Sequence, residues 1–162
     1  QHIKDIMSSD NFAWFYHDFV ADYYDKTADE FYFTHTFYSD KTKEVNSNWY
    51  NDIIHPILFV LIGKDYDLIR AKANLFTKTS EPVKYGFHTD YKFDKHTTLV
   101  YSVNTNNGYT EFKDGTKIPS IENQLLIFDG NTPHRSVGQS DIRNRMNLNI
   151  NLKLDPQILI NE

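Results

Sequence analysis

The sequence predicts a mainly β fold with N-terminal helices, built as a double-stranded β-helix or jelly roll. Residues 67–154 break into eight short strand-like runs separated by turn residues, the rhythm of a sandwich or barrel. The last run alternates polar and apolar side chains from Arg143 to Leu152, the period of a strand. Residues 1–63 have another texture, with aromatic clusters and helical spacing.

In chain order, Asn11–Tyr24 is aromatic-rich and reads as a short helix. Phe31–Tyr38 is aromatic and β-branched, and reads as a strand. Asn46–Ile62 reads as a helix, with Trp49, Ile53, Ile57, Val60 and Leu61 on one stripe. Pro56 kinks that helix or marks its restart, because proline lacks the amide hydrogen. The strands then fall near Asp67–Phe76, Tyr85–Tyr91, Thr97–Val103, Tyr109–Lys113, Thr116–Ile118, Gln124–Phe128, His134–Val137 and Arg143–Leu154. Asn106-Asn107-Gly108 and Asp114-Gly115 supply turns between them. No linker separates the two textures, so residues 1–162 read as one domain. Residues 1–63 form a helical and aromatic buttress, and 67–154 the β-helix core.

With 162 residues, 40% hydrophobic and 24% charged, the chain can bury a core of its own. It has no cysteine, which excludes disulfides, thiol catalysis and thiolate-held metals. A net charge of −5 gives no general attraction to nucleic acid. No apolar run approaches the roughly 18 residues of a membrane span, and residues 1–10 lack the apolar stretch of a signal peptide. The first residue is Gln1 rather than Met, which suggests trimming. The expected protein is soluble and cytoplasmic, with neither membrane nor nucleic acid as partner.

The sharpest local feature is His88-Thr89-Asp90. On a strand, residues two apart project from one face, so an imidazole and a carboxylate can share one metal ion. His134 lies 46 residues further on, after the apolar run Leu125–Phe128 and the turn Asp129-Gly130, and is the best third ligand. Two histidines and one carboxylate leave positions open on a metal, an arrangement suited to non-heme Fe(II). Such tripeptides also recur by chance. Histidines 2, 17, 35, 55 and 96 read as surface or core residues. Arg143 and Arg145 share a parity with Asn147, Asn149 and Asn151, while Met146, Leu148, Ile150 and Leu152 share the other. The polar row either lines a cavity or meets water. An arginine fork in such a row suits a carboxylate.

Taken together, these stretches resemble the 2-oxoglutarate and Fe(II)-dependent oxygenase superfamily, in particular its small prolyl 4-hydroxylase-like branch, which includes compact versions encoded by bacteriophages. The resemblance rests on His88-Thr89-Asp90 and on Thr97-Thr98-Leu99-Val100-Tyr101-Ser102-Val103-Asn104. It continues through Asn107-Gly108-Tyr109-Thr110-Glu111-Phe112, which looks like a Gly-Gly-x-Thr-x-Phe strand, and Phe128-Asp129-Gly130 leading to His134. It ends on Arg145-Met146-Asn147-Leu148-Asn149-Ile150-Asn151. The match spans roughly residues 70–152, and its specificity lies in order and spacing.

The resemblance implies that His88, Asp90 and His134 are the catalytic iron ligands. It also implies that Arg145, with Arg143 as rival, binds the distal carboxylate of 2-oxoglutarate. Phe76 and Ser102 stand where relatives often carry pocket tyrosines, so the carboxylate's second partner falls among Asn74, Tyr85, Tyr101 and Ser102. The implied chemistry consumes dioxygen and 2-oxoglutarate, releases succinate and carbon dioxide, and hydroxylates an unactivated C–H bond, with ascorbate as an optional reductant. Asp90 occupies the position that related halogenases leave to chloride, which favours hydroxylation. The implied substrate is a prolyl residue of a peptide or protein, the alternative a small molecule or free amino acid. A virus-encoded enzyme acting in host cytoplasm fits the same branch. Residues 79–84 and 91–96, with Lys84, Lys92 and Lys95, are expected at the entrance or as solvated loops. Two other readings of the same residues are a cupin-like metal protein without oxygenase activity and a non-catalytic jelly-roll module.

Overall fold

The computed structural model describes residues 1–20, 31–62, 66–92 and 95–154. Its elements in order are α1 (His2–Met7), β1 (Phe15–His17), β2 (Tyr32–Ser39), β3 (Glu44–Val45), α2 (His55–Ile62), β4 (Leu68–Thr77), β5 (Thr97–Ser102), β6 (Asn106–Phe112), β7 (Lys117–Ser120), β8 (Gln124–Asp129), β9 (His134–Val137) and β10 (Asn144–Leu152). The large sheet runs β1-β2-β4-β10-β5-β8, with β3 on β2, and the small one runs β7-β6-β9. Every pairing is antiparallel. The crossovers, with β10 between β4 and β5, make a jelly roll. Among the described residues no helix is long and apolar enough to cross a membrane.

β10 organises the molecule, and its alternation explains why. Met146, Leu148, Ile150 and Leu152 join Ala71, Ala73 and Leu99 in a core closed by Met7, Phe12, Ile53, Ile54 and Leu58. Each of the larger side chains gains roughly 1.5–3 kcal/mol from leaving water. The opposite row, Arg145, Asn147, Asn149 and Asn151, is buried as well, on the face that meets the small sheet. The polar row therefore lines an interior cleft.

Three expectations about the elements need correction, and one element is new. Phe15–His17 is a strand paired with β2, where a helix over Asn11–Tyr24 is expected; residues 21–24 lie outside the described ones. The short α1 is unanticipated. The run from Asn46 begins with a turn of π-helix at Tyr50–Ile54, and the α-helix starts only at His55. A π turn bonds to the fifth residue instead of the fourth, so it rotates everything after it. Ile54 and Leu58 are consequently buried beside the expected Ile53, Val60 is exposed, and Trp49, Ile57 and Leu61 still pack on the core. Pro56 is the second residue of α2, directly after the π turn, and without an amide hydrogen it cannot close a helical bond back into that turn. Finally, residues 85–91 are not a strand. The segment touches β9 through single bridges, His88 to His134 and, just before it, Lys84 to Val137.

Buried polar ties hold the strand connections. The Met146 amide donates to Asn104 Oδ1, and Asn106 Nδ2 to the Asn104 carbonyl. Asn106, expected in a turn, already belongs to β6, where the register shifts before Tyr109. His35 spends both ring nitrogens, on the Ala13 carbonyl and Ser47 Oγ at 2.7 Å each, so it is a core histidine. At Gly130 a Cβ would fall 2.1 Å from the ring of His96, which is fully buried. Gly130→Ala is expected to cost about 1–3 kcal/mol by overpacking. A thermal melt should therefore fall by several degrees, and an unchanged melt would mean that the His96 ring can yield.

Candidate metal centre

The bridge between His88 and His134 builds the site. Each backbone amide donates to the other's carbonyl, at 2.9 and 3.0 Å, which sets the two rings side by side with centroids 4.7 Å apart. His88 Nδ1 faces the Gly86 carbonyl at 3.2 Å, and His134 Nδ1 the Thr132 carbonyl at 3.0 Å. A carbonyl only accepts, so both Nδ1 atoms carry the proton and both Nε2 lone pairs are free. Those Nε2 atoms lie 4.0 and 3.9 Å from the carboxylate oxygens of Asp90. One ligand atom from each of the three residues can be chosen so that all lie within 4.8 Å of one another, a spacing that one ion can bridge. Phe128 and Phe112 wedge the His134 ring, with centroids 4.8 and 6.5 Å away.

Asp90 is held from the large sheet. Arg70 Nη2 donates to its Oδ1 at 3.0 Å. Asn149 and Asn151 donate to Oδ2 at 3.0 Å each, and Thr98 at 3.3 Å. Burial pushes this carboxyl up, but Arg70, His134, the Asn149 amide and His88 outweigh it and hold it well below the usual range. Burial, then the neighbouring His134, pushes His88 down. An ionised carboxylate and a neutral imidazole are the forms that bind metal.

Arg145 lies in the same cleft, 2% exposed. Its Nε donates to Ser120 Oγ at 2.9 Å and its Nη1 to Ser136 Oγ, and its guanidinium lies 5.4 Å from the Phe76 ring centroid. Among the described residues no carboxylate pairs with it. Burial lowers its pKa to about 10, the mark of a cation without an anion. Gly108 makes room for it: a Cβ there would stand 2.9 Å from Arg145 Cδ and 2.8 Å from the Val137 carbonyl.

The cleft encloses about 450 Å³ of empty space, part of it open to solvent, and is lined by His88, Asp90, His134, Arg145, Asn74 and Lys72 among others. Asn74 donates to Asn147 Oδ1 at 2.8 Å, while its own Oδ1 is buried without a partner among the described residues.

Four expected site residues, Tyr85 among them, do not line the cleft. Arg143 precedes β10 and is exposed. Tyr101 points to the opposite face of β5, where its hydroxyl donates to Asn123 Oδ1 at 2.8 Å. Ser102 is buried at the end of β5, opposite Asn147, but does not line the cleft. Tyr85 lies behind Phe76, ring centroids 5.5 Å apart. Of the expected entrance residues, Lys84 does not line the cleft, and residues 93–94 lie outside the described ones. Arg70 and Lys72, by contrast, went unpredicted, although they share the parity of Asn74 and Phe76.

Fold and site together define a jelly-roll protein with a 2-His-1-carboxylate candidate metal centre. No protein-family model matches the chain, and no curated protein matches its sequence. Among solved structures it is similar to an oxidoreductase of the 2OG-Fe(II) oxygenase family from Burkholderia pseudomallei. That likeness has 11% identity and a TM-score of 0.56 over 78% of this chain and 68% of that one. It is also similar to EvdMO1, with 12% identity and a TM-score of 0.56, over 90% of this chain and 39% of that one. A likeness to the viral collagen prolyl hydroxylase vCPH from Paramecium Bursaria Chlorella virus-1, in its 2OG complex, has a TM-score of 0.49 at 14% identity, over 76% of this chain and 80% of that one. At these identities the first two likenesses are of fold.

Proposed function

We propose that the protein is a 2-oxoglutarate- and Fe(II)-dependent oxygenase that hydroxylates an unactivated C–H bond. The observation that carries this is one cleft holding both a convergent His88-Asp90-His134 group and a buried arginine with no anion, Arg145. A cupin-like metal protein accounts for the first and gives no reason for the second. The donor set fits iron: two neutral nitrogens and one carboxylate leave open positions. Peptidyl proline and small molecules are the two substrate classes that the sequence resemblance implies.

When bound, Fe(II) and 2-oxoglutarate supply the oxidising chemistry with dioxygen. The chain's own residues orient and protect. His88 and His134 present Nε2 because backbone carbonyls hold their Nδ1 protons. Arg70, Asn149 and Asn151 keep Asp90 ionised and aimed. Arg145, stiffened by Ser120 and Ser136, takes the far carboxylate, and Phe76 and Val100 exclude water around the cosubstrate. Mixing the protein with Fe(II) and 2-oxoglutarate without oxygen should produce a visible metal-to-ligand charge-transfer band. Admitting air should then release succinate. Metal binding with neither band nor succinate would leave the cupin-like reading instead.

A further inference from the structure

Arg145 is not the only cation in the cleft without an anion. Lys72, on β4, lines the same space. It pairs across the ladder with Asn149, the residue that donates to Asp90, so it stands at the level of the triad. Arg145 pairs with Phe76, four residues further along β4, or about 13 Å at the backbone.

The groups facing Lys72 are Arg70 on its own strand, Tyr32 from β2, and Asp90 and His88 from the ligand segment. Asp90 is already paired with Arg70, and Lys72 forms no ion pair among the described residues. Lys72 Nζ lies 3.4 Å from the Tyr32 hydroxyl and 5.4 Å from the centroid of its ring. In that contact the ammonium donates. The Tyr32 hydroxyl proton has no acceptor of its own among the described residues. Tyr32 is held in place by stacking on Phe76, ring centroids 5.6 Å apart. An ammonium with protons to spare beyond the Tyr32 oxygen and a phenol thus meet in the cleft with no anion paired to either among the described residues. Lys72 is half-buried, so it is open to a ligand entering the cleft. A divalent metal and a dicarboxylate cancel each other's charge, so filling the proposed centre still leaves Lys72 unpaired.

We infer that Lys72 and the Tyr32 hydroxyl form a second anion subsite that takes a carboxylate of the substrate. The substrate is then a small free carboxylic acid, such as an amino acid, and not a residue within a peptide chain. This assignment rests on the oxygenase reading of the cleft. It assigns the two cations different duties, Arg145 for the cosubstrate and Lys72 for the substrate.

The test uses the full chain with ¹³C-labelled lysine, Zn(II) in place of iron, and saturating 2-oxoglutarate whose binding is followed by calorimetry. The common L-amino acids are titrated as free acids and as primary amides, and the Lys72 Cε resonance, assigned with Lys72→Met, is followed. At least one free acid should shift that resonance saturably, with its amide at least about 10-fold weaker, as expected for a lost charge-assisted hydrogen bond. Lys72→Met should abolish the preference for acid over amide, and Tyr32→Phe should reduce it. Lys72→Met should leave 2-oxoglutarate affinity within about twofold, because that ligand's far carboxylate is held elsewhere. If no free acid saturates, or acid and amide bind alike, the subsite is wrong. A large loss of 2-oxoglutarate affinity in Lys72→Met would overturn it too, by assigning Lys72 to the cosubstrate. Failure of 2-oxoglutarate to bind the wild-type chain would count against the oxygenase reading itself, separately from these outcomes.

Discussion

His134→Ala should abolish the charge-transfer band and succinate release, and weaken metal binding by at least about 100-fold. Even outer partners of metal ligands cost 10–100-fold when removed, and His134 supplies a ligand atom directly. Its ring is 4% exposed, wedged by Phe112 and Phe128 and fixed by the Thr132 carbonyl. Alanine cannot be replaced there by a roaming neighbour, since His96 packs against Gly130 and His35 is fully bonded. The backbone bridge to His88 uses main-chain atoms only and should survive. Far-ultraviolet circular dichroism should therefore stay unchanged while calorimetric metal binding collapses. Unaltered metal affinity in a folded His134→Ala protein would remove the proposed centre.

Arg145→Ala should raise the 2-oxoglutarate requirement by about 100-fold or more, and Arg143→Ala by less than about twofold. Truncating one partner of a buried charged pair costs about 2–5 kcal/mol, and every 1.4 kcal/mol is tenfold. Arg143 is exposed outside the strand and has no such leverage. Arg145→Lys should fall between, because the ammonium keeps the charge and loses the fork. Alanine at 145 also leaves the Ser120 and Ser136 hydroxyls without their partner, so stability should be measured beside affinity. Equal effects at 143 and 145 would mean that the buried guanidinium serves packing alone.

Much of this centre is legible in the sequence, for identifiable reasons. The period of two in β10 announces both of its faces, and the apolar run before Gly130 announces the strand that delivers His134. His88 and Asp90 are legible for a partly mistaken reason. The regular strand expected at 85–91 does not exist, and the two side chains converge because His88 is pinned to His134 while Arg70 and two asparagines draw in Asp90. Those forces come from residues 20 to 61 positions away, beyond any local pattern. Arg70 and Lys72 escape notice because charges on a strand ordinarily mean a solvated face. Only the pairing of β4 with β10 reveals that both polar rows look into one interior. Of the helical stripe at 46–62, Trp49, Ile53, Ile57 and Leu61 do pack on the core, and Val60 turns outward because a π turn changes the period partway along.

The anchoring of Arg145 also bears on how the two sheets move. Its backbone belongs to the large sheet, and its guanidinium is moored to Ser120 on β7 and Ser136 on β9, both in the small one. A carboxylate drawn to that guanidinium therefore tightens a strut between the halves of the sandwich. The occupied protein should breathe less than the empty one, with amide exchange slowing in β7 and β9, on the far wall from the strand that carries the arginine.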